Sequence, residues 1–146
     1  MNNKNNIFLE EYKRLDVLCK DIFKSKDGIS EYIRQMEETS YIDRKFYADW
    51  ETDYRQLKHL RWIRNQLTHE IGTLEEDFCT DLDINWIRTF HQRILNLSDP
   101  LSIVRIQKDK FIKNNAQPQT NTPKQEKTEE SVWKKIIEKI RKIFTK

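Results

Sequence analysis

The chain has 146 residues, enough for one ordinary domain, with 35% charged and 36% hydrophobic residues. Only 2 Gly and 3 Pro punctuate it, too few for the many turns of an all-β fold and too few glycines for a GxGxxG or GxxxxGK phosphate loop. The net charge of +3 is unevenly placed: residues 130–146 hold six Lys/Arg against two Glu, +4, so residues 1–129 carry −1 and do not make a globally basic nucleic-acid binder.

Cys19 and Cys79 are the only cysteines and form no CxxC, which fits a reducing compartment. The N-terminus MNNKNN lacks the apolar stretch of a signal peptide. No apolar run approaches the ~18 residues a spanning helix needs. The expectation is a cytoplasmic protein, with peripheral membrane attachment left to the basic C-terminal segment.

In chain order, residues 1–6 are polar and are expected to be a disordered N-terminus. Over 7–23, Phe8, Tyr12, Leu15, Leu18, Cys19, Ile22 and Phe23 share one broad helical face, which predicts an amphipathic helix closed by residues 25–28. Ile29, Tyr32, Ile33 and Met36 predict a shorter second helix. Over 49–71, Trp50, Tyr54, Leu57, Leu60, Ile63, Leu67 and Ile71 trace one stripe, with Gly72 as its stop. Residues 72–81 read as an acidic loop. A helix over 83–97 puts Ile84, Ile87, Phe90, Ile94 and Leu95 on its core face. Ser98, Asp99 and Pro100 combine a capping side chain with a first-turn proline, and open a short helix carrying Leu101, Val104 and Phe111. Residues 114–129 contain no large apolar residue and read as a flexible linker. The fold class expected is all-α: a bundle of four to five helices over 7–113, the linker, and an amphipathic helix over 130–146.

The stretch from Tyr54 to His69 contains no acid, four cations (Arg55, Lys58, Arg61, Arg64) and two histidines, His59 and His69. Such a strip attracts phosphate within a Debye length of ~8–10 Å. On a helical wheel with Trp50 at zero, Arg64 falls at about 320°, inside the apolar stripe, and His69 lies about 140° from it. A guanidinium aimed at a core costs several kcal/mol unless paired, so Arg64 is expected to meet a buried acid, a second subunit or a ligand.

Arg64-Asn65-Gln66-Leu67-Thr68-His69 resembles the R-N-x-x-x-H signature of HEPN domains. These are small all-α bundles that commonly dimerise, often with a nucleotidyltransferase or antitoxin partner. The surrounding LKHLRWIRNQLTHE and the downstream FHQRILNLSDP also look like a group of small helical proteins of anaerobic Firmicutes, over roughly residues 8–105. The resemblance implies a ribonuclease cleft without metal, shared by two subunits, with no cofactor. Arg64 would bind the scissile phosphate through a bidentate contact. His69 would be general base on the ribose 2′-hydroxyl or acid on the leaving oxygen. Asn65 would orient His69 from one turn back. Arg55, Lys58 and Arg61 would bind RNA around them. In many such domains the motif sits near the last helix, whereas here further helical segments follow.

Plainer readings stand beside these. Arg64 would close a buried ion pair with an acid such as Glu11, and His69 would cap a helix C-terminus. His91 reads as a core histidine and His59 as solvated. The histidines lack HxxxH or HExxH spacing, so no metal site is expected. The Trp and Tyr residues read as core sooner than as base-stacking platforms.

In 132–146, Val132, Trp133, Ile136, Ile137, Ile140, Ile143 and Phe144 fall within an arc of about 140° and Lys/Arg fill the rest. Trp133, Ile136, Ile137, Ile140, Ile143 and Phe144 are therefore candidates for contact with an anionic membrane surface, a partner groove such as an antitoxin's, or the chain's own bundle or that of a dimer mate. Two functions are expected from different classes. One is an RNA-binding or RNA-cleaving homodimer, a toxin or defence component. The other is a non-catalytic helical interaction module that uses its tail.

Overall fold

The computed structural model describes residues 3–69, 76–115 and 136–138. Among these residues it holds six helices and no strand: α1 (Asn3–Phe23), α2 (Ile29–Glu38), α3 (Tyr41–Arg44), α4 (Trp50–His69), α5 (Asp81–Leu95) and α6 (Pro100–Asn115). The chain is a small all-α bundle. α1 packs on α2, α4 and α5, α2 also meets α4 and α6, and α3 rests on α6. Phe8, Leu15 and Leu18 of α1, Ile29, Tyr32, Ile33 and Met36 of α2, Leu57, Leu60 and Ile63 of α4, and Ile87 and Phe90 of α5 are fully buried. They are the residues whose spacing marks one face per helix, so burial of those faces drives assembly.

Several expectations are corrected. The N-terminus is not frayed from residue 3 onward: α1 starts at Asn3 and Asn5 is wholly buried. The Asn5 side chain donates to the Glu76 carbonyl at 2.6 Å and accepts from the Phe78 amide at 3.4 Å, so it latches the turn that leads into α5. α3, which no apolar periodicity announces, is capped by Ser40, whose hydroxyl accepts from the Asp43 amide at 3.2 Å. Arg44 of α3 closes the end of α2, donating to the carbonyls of Thr39 at 2.9 Å and Glu37 at 3.0 Å. α5 begins two residues earlier than expected because Thr80 and Asp83 form a reciprocal capping box. α6 begins at Pro100 as the Ser-Asp-Pro signal predicts, with Asp99 Oδ2 accepting from the Ser102 amide at 3.4 Å. It runs two residues into the expected linker, and Phe111 is exposed, touching Phe46 at 5.8 Å between ring centres. His91 is only partly buried.

Ile71 and Gly72, most of the expected linker, and Trp133, Ile140, Ile143 and Phe144 lie outside the described residues. Of the tail's apolar stripe, Ile137 is buried in the bundle core and Ile136 packs against it, while Glu138 faces solvent. Those two isoleucines, candidates for a foreign surface, are thus seated on the chain's own helices.

The turn between α1 and α2 positions the site described next. α1 ends with the Ser25 amide bonded to the Lys20 carbonyl at 3.1 Å and Lys24 in a left-handed conformation, φ 52°. Gly28 then precedes α2 with no side chain to cap it. Asp16 of α1 supplies the cap, its Oδ1 accepting from the Ile29 amide at 2.9 Å. A Cβ on Gly28 would collide with the Asp16 carbonyl oxygen, so only glycine allows this approach.

Candidate functional site

Arg64 is exposed, which corrects the expectation of a buried guanidinium. The buried face of α4 rotates along the helix. On the wheel Trp50, Asp53 and Leu57 centre at about 330°, whereas Leu60, Ile63 and Leu67 centre at about 250°. By the fifth turn Arg64, at about 320°, has drifted to the rim. Its Nη1 donates to Asn65 Oδ1 at 3.0 Å and its Cζ lies 5.9 Å from the Tyr12 ring centre. Glu11, the acid expected to pair with it, lies instead 3.9 Å from Arg14 and 3.4 Å from Arg88.

The charge that α4 does bury is an acid. Asp53 occupies the apolar stripe, at about 300° on the same wheel. It is held by Arg93 of α5 at 2.5 Å and by the Tyr47 hydroxyl at 2.8 Å. The readable signal was an aspartate on the stripe itself.

Helical geometry divides the cationic strip in two. Arg61 and Arg64 turn toward α1 and the start of α2. There they line a polar cleft of about 280 Å³ with Tyr12, Lys20, Lys26, Ser30 and Asn65, and with Asp16, Asp27 and Gly28. Arg61 Nη1 donates to Ser30 Oγ at 3.3 Å, and Lys20 lies 3.2 Å from Asp16 Oδ2. Burial first, then Asp16, pushes the Tyr12 hydroxyl up, while Arg64 and Arg61 pull it the other way. Tyr12 therefore keeps its proton at neutral pH.

Arg55, Lys58 and His69 fall on the other, solvent side of α4. Arg55 lies 3.9 Å from Glu51, and the Lys58 ammonium sits 5.1 Å from the Tyr54 ring centre. His69 is the last residue of α4 and is exposed. Arg64 and His69 are five residues apart, which separates them by about 140° around the helix and ~7.5 Å along it. The Asn65 side chain turns to Arg64, so its carbonyl oxygen is engaged away from His69. Thr68 ties its hydroxyl to the Arg64 carbonyl at 3.0 Å, an internal bond of the last turn.

Trp62 corrects the expectation that the tryptophans belong to the core. It is 50% exposed on the same solvent side, stacked beside His59 with ring centres 6.2 Å apart and tilted toward Phe78 at 6.3 Å. Its place at about 120° on the wheel, opposite the stripe, was the available signal. His59 lies 3.9 Å from Asp83.

Among the described residues no three His, Cys, Asp or Glu side chains converge as a metal site, and no helix is long and apolar enough to cross a membrane. Both cysteines are free and buried, and burial pushes the Cys79 thiol up to about 11. No curated protein and no solved structure matches the chain. A family model does match residues 6–144, and the chain belongs to that family, DUF6548, a family of unknown function.

Proposed function

We propose that this chain is an RNA-directed domain of the HEPN kind, working as a homodimer and cleaving RNA without metal through Arg64 and His69. The observation that carries this reading is the state of Arg64. It is an exposed guanidinium whose contacts are an amide oxygen and an aromatic ring, with no ion-paired carboxylate among the described residues. A phosphodiester oxygen pair suits its planar fork. His69, exposed on the same two turns, takes the ribose 2′-hydroxyl proton or protonates the leaving oxygen. Because one helix holds the two side chains on different faces, the reading assigns the His69 that completes each centre to a second protomer. An antitoxin or nucleotidyltransferase partner and a cytoplasmic location belong to the same proposal.

RNA cleavage by the purified full chain in EDTA is the direct test. Wild type is expected to cut, and Arg64→Ala and His69→Ala are expected to lose cutting. Intact wild type that leaves every RNA whole sinks the reading, and cleavage abolished by EDTA sinks its metal-free mechanism.

The second reading is a non-catalytic interaction module that reaches a partner protein or membrane surface through residues 130–146. Burial of Ile137 in the chain's own bundle seats this part of the segment on the chain itself and favours neither a partner nor a membrane over the other. Flotation with anionic liposomes separates the two. Recovery of the full chain with the lipid, lost on truncation after residue 129, would favour the membrane.

A further inference from the structure

We infer that the cleft between α1, the α1–α2 turn and α4 is a seat for a phosphate group, held by Arg61, Arg64 and Lys26. Its walls carry four cations, Lys20, Lys26, Arg61 and Arg64, against two acids, Asp16 and Asp27. Asp16 is already spent: one oxygen caps the Ile29 amide at 2.9 Å and the other meets Lys20 at 3.2 Å. That leaves three cations facing Asp27, a local excess of +2 on a body whose overall charge is −1.

Neutral donors stand among the cations. The Tyr12 ring lies beneath the Arg64 guanidinium, 5.9 Å away, and Ser30 Oγ lies 3.3 Å from Arg61 Nη1, so hydroxyls and guanidinium forks converge on one space. Two forks and an ammonium match the several oxygens of a phosphate better than a single carboxylate does. The volume of about 280 Å³ is just under the ~300 Å³ at which drug-sized pockets begin, which fits a phosphoryl group with its sugar. Gly28 is part of the construction, because any Cβ there would drive back the Asp16 backbone that forms the wall.

Of the cleft's cations and hydroxyls only Arg64 belongs to the Arg64–His69 motif; Lys20, Lys26, Ser30 and Arg61 are among those outside it. The inference rests on the RNA-directed reading only where it takes the phosphate from an RNA strand. The same chemistry is offered by a terminal RNA phosphate and by a free mononucleotide or inorganic phosphate.

The test is calorimetric titration of the full chain with inorganic phosphate, adenosine monophosphate, and one RNA decamer bearing either a 5′-phosphate or a 5′-hydroxyl. Phosphate-bearing ligands are expected to bind, and Arg61→Gln and Lys26→Ala are each expected to weaken them about tenfold, the scale of one charge-assisted bond. Arg61→Lys should fall between wild type and Arg61→Gln. A phosphorylated decamer that outbinds both the monophosphate and its own hydroxyl form identifies an RNA end, whereas a monophosphate that outbinds the decamer identifies a free nucleotide. Absence of binding by every phosphate ligand at about 1 mM overturns the inference. So does undiminished binding by folded Arg61→Gln and Lys26→Ala. Cleavage that fails while this binding persists removes the catalytic reading and leaves the cleft.

Discussion

Lys24 is exposed at the end of α1 with φ 52°, a conformation that costs a side-chain-bearing residue about 1–2 kcal/mol. Lys24→Gly removes that strain and returns part of it as unfolded-chain entropy, so a gain of about 0.5–1 kcal/mol is expected in urea denaturation. Four residues later the sign reverses. Gly28→Ala forces a Cβ into the Asp16 carbonyl, and a loss of about 1–3 kcal/mol should appear in the same measurement. Asp53→Ala leaves Arg93 without its carboxylate and Tyr47 without its acceptor. The Arg93 side chain keeps 22% exposure, which places the expected loss near the lower end of the buried-pair range, about 3 kcal/mol. Asp53 and Arg64 illustrate what the wheel could and could not read. Both fall on the stripe of an ideal helix, yet only Asp53 is buried, because the packed face rotates away from Arg64 farther along α4.

At the scale of elements, the apolar faces of α1, α2, α4 and α5 were legible because a period of 3.6 residues is a local property of the chain. The short α3 was not, since four residues leave no period to read and its place depends on Ser40 and on Lys108 of α6, whose ammonium lies 2.9 Å from Asp43. The tail shows the same limit. Its stripe was legible and its partner was not: Ile137 is 3% exposed in the core beside Ile136. Ile137→Ala is expected to cost about 2 kcal/mol, and truncation after residue 129 at least as much, read as a lower denaturation midpoint with the rest of the bundle still folded. A truncated chain as stable as the full one would refute the docking.

For the whole molecule, two desolvated titratable groups set opposite pH slopes. Burial lowers His91 below its ordinary 6.5, with Glu11 opposing. The neutral imidazole is the form that folding favours, so its contribution is complete above pH 6.5 and is lost as pH falls through the lower folded value. His91→Gln should flatten that acid limb in thermal melts taken across the range. Burial raises Asp99 above 3.8 against the bonds from Ser102 and Tyr32, so its contribution is complete below 3.8 and is lost as pH rises through the higher folded value. Light scattering tests the homodimer. A mass near twice 17.9 kDa is expected, and a strict monomer would remove the shared cleft while leaving the phosphate seat, which lies within one chain.

The sequence by itself determined that the chain is helical, where the main apolar faces lie, and that the net +3 belongs to residues 130–146 while a cationic strip marks α4. Period, capping chemistry and charge are local, so they survive without coordinates. Only the tertiary structure decided which cations act together. It turned Arg61 and Arg64 into a cleft with Lys20 and Lys26, left His69 on another face, and gave the buried charge to Asp53 in place of Arg64. Those outcomes depend on how α1, α2 and α5 cross α4, and neighbours brought together from distant segments leave no pattern in any one of them.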